Sequence, residues 1–274
     1  MSYLGVRRYC HLHFRPKLER FTYRYRSVSA DDLSRDRLRD ILVRSRFWLS
    51  KAADFNDPFD SQSYQYIDGN ILRRRERLQR LVRAQEPNMN WKAREKLVKK
   101  MAAGGSAVLT NALEQAHRRM LDTTGLVCFS DDPRNILTWA HYADSHRGIC
   151  LQFEPARDLR TFARALPMEY GEDYPEQNWI EDSTRAETDG LYGKFSAWGY
   201  EQERRIVAPG GAHRWLKFKP EALTGLVFGC ASTQFQRDVV MALIEERRAA
   251  NGPPLHLYKA VRDRRQYRLH IQKV

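Results

Sequence analysis

Two glutamates one residue apart, Glu201 and Glu203, are the residues best placed to do chemistry in this chain. We expect residues 200–208 to form a strand, in which alternate side chains project to the same face. Two carboxylates on one face repel unless a cation, or a developing positive charge, lies between them. The pair therefore predicts a site for positive charge. The alternative is a solvated strand edge at which both glutamates pair with Arg204, Arg205 or another basic residue.

A second group of oxygen-bearing side chains lies in one loop: Asp54, Asn56, Asp57 and Asp60. Such groups are the ligands that Mg²⁺ and Ca²⁺ prefer, and with the two glutamates they would suit a metal-dependent nuclease. Turn chemistry favours another interpretation, a rigid turn whose polar side chains bind their own backbone while Phe55 and Phe59 pack inward. We therefore expect no metal at this loop.

Trp139, Tyr142 and His146 are spaced to share one face of a helix predicted at residues 134–144. A cofactor pocket would use an aromatic ring for stacking and His146 as a donor to a phosphate. An aromatic residue at helical spacing is more often part of a core, and we expect this of Trp139.

A mixed α+β fold with a mostly antiparallel sheet is predicted to position these residues, as one domain spanning residues 1–274. Aromatic and basic side chains alternate over residues 21–28, which indicates a strand with Arg24 and Arg26 on one face and Tyr23 and Tyr25 on the other. Further strands are predicted at residues 125–130 and 148–153, and helices at residues 34–45 and 236–250.

A basic helical insertion is predicted at about residues 70–121, as two helices interrupted near Pro87 and at Gly104 and Gly105. The net charge of the chain is +13, and residues 71–100 hold eleven Lys or Arg against three Glu. This surplus predicts contact with nucleic acid or another polyanion. Solvated basic helices are the alternative, because neither a stacking motif nor a recognition-helix pattern accompanies the charge.

Composition predicts a cytoplasmic protein without a membrane partner. The four cysteines are scattered and form no C-x-x-C pair, which is typical of a reducing compartment. No apolar run approaches the roughly 20 residues needed to cross a bilayer. The first 20 residues carry His and Arg throughout and lack the apolar centre of a secretory signal.

Five short motifs occur in order between residues 21 and 230: Tyr23-Arg24-Tyr25-Arg26-Ser27, Phe55-Asn56-Asp57-Pro58-Phe59-Asp60, Cys128-Phe129-Ser130, Trp139-x-x-Tyr142-Ala143-x-x-His146-x-Gly148, and Lys194-x-x-x-Trp198-x-x-Glu201-x-Glu203-x-Arg205. Together they resemble a bacterial family known as domain of unknown function 2971. This resemblance implies no reaction by itself.

Three of these segments are also similar to ADP-ribosyltransferases of the Arg-Ser-Glu type. Those enzymes have an Arg on the first strand, a Ser on a later strand followed by a short helix, and a Glu-x-Glu segment that runs into a strand. Here Arg24 or Arg26, then Ser130, then Glu201 and Glu203 occupy such positions. The departure is the serine element, which is usually Ser-Thr-Ser, whereas acidic residues follow Ser130 here.

The resemblance implies NAD as the substrate and an ADP-ribosyltransferase-like fold. Glu203 would stabilise the ribose cation that forms as nicotinamide leaves, and Glu201 would orient or deprotonate the acceptor. Arg24 or Arg26 would bind the pyrophosphate, and Ser130 would hold the glutamate or the ribose. Tyr142 and His146 would complete the dinucleotide pocket.

The functional hypothesis is therefore an enzyme that cleaves NAD and transfers ADP-ribose to nucleic acid, protein or water. A role as a toxin or phage-defence effector is a further hypothesis, which rests on the basic surface. Two alternatives remain: a metal-dependent nuclease, and a non-catalytic nucleic-acid-binding protein whose paired glutamates only make salt bridges.

Overall fold

Strands and helices alternate along the part of the chain that the computed structural model describes, residues 19–55, 57–66, 71–103, 106–178 and 190–274. The strands are β1 Thr22–Arg26, β2 Arg46–Lys51, β3 Tyr64–Tyr66, β4 Gly125–Ser130, β5 Ile149–Phe153, β6 Ala165–Pro167, β7 Glu169–Gly171, β8 Glu176–Asn178, β9 Gly193–Phe195, β10 Glu203–Ala208, β11 Arg214–Lys217, β12 Leu223–Phe228, β13 His256–Arg262 and β14 Leu269–Lys273. The helices are α1 Asp32–Leu42, α2 Ile71–Gln85, α3 Trp91–Ala103, α4 Ser106–Thr123, α5 Ile136–Tyr142, α6 Leu159–Phe162 and α7 Gln234–Ala249.

A ten-stranded sheet forms the centre of the fold, with β11-β2-β4-β1-β5-β12-β13-β14 as its main path. Strand β10 pairs with β4 and also with β6. Apart from the parallel pair of β12 and β13, the strands of this sheet pair antiparallel. The predicted mixed fold with a mostly antiparallel sheet is confirmed.

Apolar layers cover both faces of the sheet, and β5 shows why, because all of its residues are buried. Ile149, Leu151 and Phe153 point into a core that α1 and α7 also contact, whereas Cys150 points into the core around Trp139 of α5. Residue alternation along one strand thus supplies two separate cores.

Helices α1 and α7 pack against each other over the larger core. Asp31 caps α1 by accepting a hydrogen bond from the backbone N–H of Ser34 at 2.8 Å, and Thr233 with Gln236 forms a capping box on α7. These side chains satisfy N–H groups that have no partner within the helix. The predicted helices at residues 34–45 and 236–250 are confirmed, although both begin earlier.

The predicted helical segment is confirmed, but it consists of three helices, α2, α3 and α4. Asn90 caps the N-terminus of α3 by accepting a hydrogen bond from the backbone N–H of Ala93 at 2.8 Å. The chain therefore starts a separate helix after the break that follows α2. Gly104 and Gly105 lie outside the described residues. Within the described ranges, no helix has the length and apolar character to cross a membrane.

Two predicted elements are confirmed but shorter than expected, in ways that affect the site: the strand at residues 200–208 and the helix at residues 134–144. Residues Ser196–Glu201 form a 3-10 helix, and Gln202 is left-handed with φ 43°, so the strand starts only at Glu203. The helix predicted at residues 134–144 ends at Tyr142, and the turn that follows includes His146 at φ 67°. In both places a left-handed residue turns the chain where a regular pattern predicted continuity.

Candidate functional site

A cavity of about 200 Å³ lies at the ends of β1, β4 and β10. Glu203 begins β10 and pairs with Ser130 at the end of β4, and Ser130 in turn pairs with Tyr23 of β1. Six of the predicted site residues line the cavity: Arg24, Arg26, Ser130, Tyr142, Glu201 and Glu203. Segments that are distant in the sequence therefore converge on one space.

Lys194 of β9 holds the two glutamates together. Its ammonium lies 2.5 Å from Oε2 of Glu201 and 2.8 Å from Oε2 of Glu203, and all three side chains are buried. The carboxylates meet although they are not on one strand, because the left-handed Gln202 turns Glu201 back toward Lys194. Both glutamates thus pair with a basic side chain, as the salt-bridge alternative predicted, but they are buried rather than at a solvated edge, and strand alternation does not explain why they meet.

Arg205 binds Glu203 from the opposite side and links it to the loop before β3. Its Nε lies 2.5 Å from Oε1 of Glu203, and its terminal nitrogens lie 2.7 Å and 2.6 Å from the two carboxylate oxygens of Asp60. The Arg205 side chain is 0% exposed. Such two-pronged contacts fix geometry as well as charge. The backbone N–H of Glu203 also donates to the hydroxyl of Tyr170 at 2.8 Å.

The environments of the two glutamates shift their pKa values in opposite directions. Burial alone would raise the pKa of Glu203, but Arg205 and Lys194 outweigh it and lower this pKa to about 2. Burial raises the pKa of Glu201, and Lys194 offsets only part of that rise. Glu203 is therefore a permanent anion at neutral pH, and Glu201 is the carboxylate closer to accepting a proton. Pairs separated in this way can divide acid-base roles.

Arg24 and Arg26 bring positive charge to the cavity and form no ion pair with a carboxylate among the described residues, although the charge of Glu203 acts against the burial that lowers the pKa of Arg24. Arg24 donates to the backbone carbonyl of Cys128 at 2.6 Å, and the Nε atoms of both arginines are buried without a partner in the described part of the chain. The charge of Arg24, together with burial, lowers the pKa of Arg26 well below its ordinary value. Guanidinium groups without a carboxylate partner are the kind of donors that bind phosphate or carboxylate oxygens in proteins.

Ser130 supports the backbone of Glu201. Its hydroxyl donates to the Glu201 carbonyl oxygen at 2.6 Å and accepts from the Asp132 backbone N–H at 3.2 Å. Asp131, the first acidic residue after Ser130, forms an ion pair with Arg204 at 2.7 Å. That pairing reduces the negative charge which had made this serine element unusual.

Tyr142 and His146, which were predicted to share one pocket, lie in different places. The Tyr142 hydroxyl donates to Oε1 of Glu201 at 2.7 Å, which places this ring in the wall of the cavity. His146 stacks on the buried Trp139, with ring centroids 6.4 Å apart, and is not among the residues that line the cavity. The chain turn after Tyr142 is the reason that the predicted shared helix face does not exist.

The loop of Asp54–Asp60 behaves mostly as a turn. Asp57 accepts a hydrogen bond from the backbone N–H of Phe59 at 2.9 Å, as turn chemistry predicts, and Asn56 lies outside the described residues. Phe55 lines the cavity, but Phe59 is 67% exposed, so its predicted inward packing is wrong. Both Asp60 oxygens are engaged by Arg205, and no cluster of metal-ligating side chains occurs within the described ranges.

Three residues of the site were not among the predicted site residues: Asp60 as an anchor, Lys194 and Arg205. The motif Lys194-x-x-x-Trp198-x-x-Glu201-x-Glu203-x-Arg205 contained the signal, because it brackets two acids with two bases. Opposite charges in such a series indicate a buried ion-pair network when apolar residues flank them.

The chain was compared with family models, curated proteins and solved structures. Neither a family model, nor a curated protein, nor a solved structure matches the chain.

Proposed function

We propose that the cavity binds NAD and that the protein is an ADP-ribosyltransferase-like enzyme. The observation that carries the proposal is the meeting of an anion site and an ionised glutamate in one cavity, at the ends of three adjacent strands. That arrangement is the one which the Arg-Ser-Glu resemblance requires, with arginine on β1, serine on β4 and glutamate on β10. The fold is, on the same grounds, ADP-ribosyltransferase-like.

Arg24 and Arg26 bind the pyrophosphate of the dinucleotide. Their charges repel each other and are buried, so a bound anion relieves a cost that the free protein carries. Aromatic rings of the wall, such as Tyr142 and Trp198, offer flat surfaces to the remaining parts of the substrate.

Glu203 stabilises the ribosyl cation. The bond between ribose C1′ and the nicotinamide nitrogen breaks, and its electron pair leaves with the nicotinamide. A carboxylate that remains ionised and fixed by Arg205 offsets the charge that develops on the ribose.

Glu201 acts on the acceptor. A lone pair of the acceptor attacks C1′, and the acceptor proton passes to the Glu201 carboxylate. The raised pKa of Glu201 suits this transfer, because a general base works best when its pKa approaches the ambient pH. The acceptor is nucleic acid, protein or water.

The experiment is incubation of the protein with NAD labelled in its adenosine part, with nucleic acid or a protein extract as acceptor and with a metal chelator present. We expect label on the acceptor, or free ADP-ribose, at rates that the chelator leaves unchanged. The absence of NAD consumption would refute the proposal.

The nuclease alternative makes the opposite prediction, cleavage of nucleic acid that stops with the chelator. A metal bridging Asp60 and Glu203 would have to displace the Arg205 guanidinium from both carboxylates. The non-catalytic alternative explains the salt bridges of the two glutamates. It does not explain why two arginines without an ion pair line the same cavity. We therefore favour the transferase.

A further inference from the structure

A second cavity, of about 510 Å³, lies between α2 and the first turn of α3. Trp91, which is 70% exposed, forms one wall, and Arg83 and Arg94 stand beside it. The volume falls within the roughly 300–1,000 Å³ that small-ligand sites occupy. An exposed indole beside two guanidinium groups pairs a stacking surface with positive charge.

The floor of this cavity is fixed by contacts between the helices. Glu95 accepts hydrogen bonds from Arg75 and, at 3.1 Å, from Gln79. Arg94 donates through one terminal nitrogen to the Met89 carbonyl at 2.9 Å, and its Nε is buried with no partner in the described ranges. Arg83 has neither an ion pair nor a hydrogen bond among the described residues. The walls therefore hold donors that are not used within the protein.

Positive charge extends from the cavity along both helices. Together α2 and α3 hold eleven Lys or Arg against two Glu. Lys92, Lys96 and Lys100 of α3 are exposed, and none forms an ion pair within the described part of the chain. Charge of this extent suits a polyanion that continues beyond the cavity on either side.

We propose that the cavity between α2 and α3 binds one nucleotide of a single-stranded nucleic acid, with its base stacked on Trp91 and its phosphate on Arg83 and Arg94. The basic faces of the two helices bind the flanking phosphates. Proteins that hold single strands combine a positive groove with aromatic platforms in this way. An acidic peptide offers no flat ring for the indole, and a base within a duplex is not free to stack on it.

This site is independent of the NAD cavity, because it uses none of the residues that line that cavity. It supplies the nucleic-acid contact that the charge pattern predicts, and it stands whether or not the protein consumes NAD. Nicotinamide release, measured without nucleic acid, tests the other cavity. The Trp91→Ala variant releases nicotinamide as the wild type does.

The test is the fluorescence anisotropy of a labelled single strand of about 16 nucleotides, a common site size, titrated with the full chain and its variants. Trp91→Ala weakens binding about 5- to 100-fold, as loss of one stacked base predicts, and Trp91→Phe restores most of it. Arg83→Gln lowers the slope of log affinity against log salt by about 0.7, the value for one phosphate contact on a single strand. Arg248→Gln, a change at an exposed arginine of α7, leaves binding unchanged.

Several results would overturn the proposal. They are equal binding by the wild type and Trp91→Ala, tighter binding of the matching duplex, and equal competition by polyglutamate or by a free mononucleotide. Because Trp91 is exposed, its replacement leaves the unfolding midpoint unchanged, and a midpoint measurement separates lost binding from lost folding.

Discussion

Glu203 keeps its charge because of the residues around it. Asp60, Arg205, Glu203, Lys194 and Glu201 form a continuous series of alternating charges, each within hydrogen-bond distance of the next. A buried ion pair contributes little net stability when complete, but removal of one partner leaves an uncompensated charge in the interior. Each member of the series is therefore required by its neighbours.

Asp60→Asn is expected to lower the free energy of unfolding by about 3–5 kcal/mol, the usual cost of breaking a buried pair. Arg205, which is 0% exposed, would lose one of its two carboxylates. Urea unfolding measures this change. The control is Asp57→Asn in the same loop, whose amide oxygen still accepts the hydrogen bond from the Phe59 backbone N–H, so we expect a loss of less than about 0.5 kcal/mol. Equal effects of the two substitutions would contradict the network.

Tyr142→Phe should shift the pH dependence of ADP-ribose transfer to the acceptor. The Tyr142 hydroxyl lowers the pKa of Glu201 by donating to it, so its loss raises that pKa further. A general base is active when deprotonated, and the rate therefore falls as pH falls through the Glu201 pKa. The acid limb of the pH–rate profile is expected at higher pH in the variant. A limb that stays in place, or moves to lower pH, would argue against Glu201 as the base.

Arg26→Gln is expected to weaken binding of ADP-ribose at least tenfold, which corresponds to about 1.4 kcal/mol. ADP-ribose carries the same pyrophosphate as NAD and lacks the bond that is cleaved, so calorimetry measures binding alone. Arg35→Gln removes an exposed arginine of α1 and serves as the charge-matched control. Equal affinities of Arg26→Gln and the control would place the anion elsewhere.

The glutamates and arginines of the cavity could be predicted from residue types and spacing, and the motif of residues 194–205 contains Lys194 and Arg205 as possible partners of the glutamates. Spacing alone does not show which basic residue reaches which carboxylate, and Lys194, seven residues before Glu201, contacts both. Asp60 lies 145 residues from Arg205, so this pairing depends on the finished fold. His146 was predicted in the pocket because the helix was assumed to continue past Tyr142.

Arg247 joins three elements at the end of α7. It donates to the carbonyl oxygens of Leu42 at 2.7 Å, Pro220 at 2.8 Å and Pro253 at 2.9 Å, and it is 2% exposed. Leu42 is the last residue of α1, Pro220 is the first residue of a 3-10 helix, and Pro253 precedes β13. One cation thus satisfies acceptors that lie at the ends of separate elements.

Arg247→Met keeps the length of the side chain and removes its donors. We expect the free energy of unfolding to fall by about 3 kcal/mol, since each buried acceptor left without a donor costs about 1–3 kcal/mol and relaxation recovers part of that. Arg248→Met, at a neighbouring exposed side chain, is expected to change stability by less than about 0.5 kcal/mol. Thermal or urea unfolding compares the two, and similar losses would refute the role of Arg247.

Most elements could be predicted from hydrophobic periodicity and capping residues, as β1, β4, β5 and α7 illustrate. The errors occur where side chains override the local pattern. Residues 196–201 were partly assigned to a strand, yet Glu201 turns toward Lys194 and its backbone is held by Ser130. Long-range contacts of this kind compete with local propensity and are not visible in a window of sequence.

Across the molecule, the two charged regions have different organisation. In the cavity at β1, β4 and β10, four acids and four bases line the wall, and within the described ranges Arg24 and Arg26 form no ion pair. On α2 and α3, exposed bases far outnumber acids. The first arrangement suits a small substrate with a diphosphate, and the second suits a polymer whose binding weakens with salt.

The most direct test of the central claim is nicotinamide release from NAD by wild type, Glu203→Gln and the control Glu169→Gln, a change at an exposed carboxylate of β7. If Glu203 stabilises the ribosyl cation, its replacement lowers kcat about 10²- to 10³-fold and leaves KM nearly unchanged, because the interaction strengthens only in the transition state. The control retains wild-type rates. Release by Glu203→Gln at the wild-type rate, or no release by the wild type, would contradict the account.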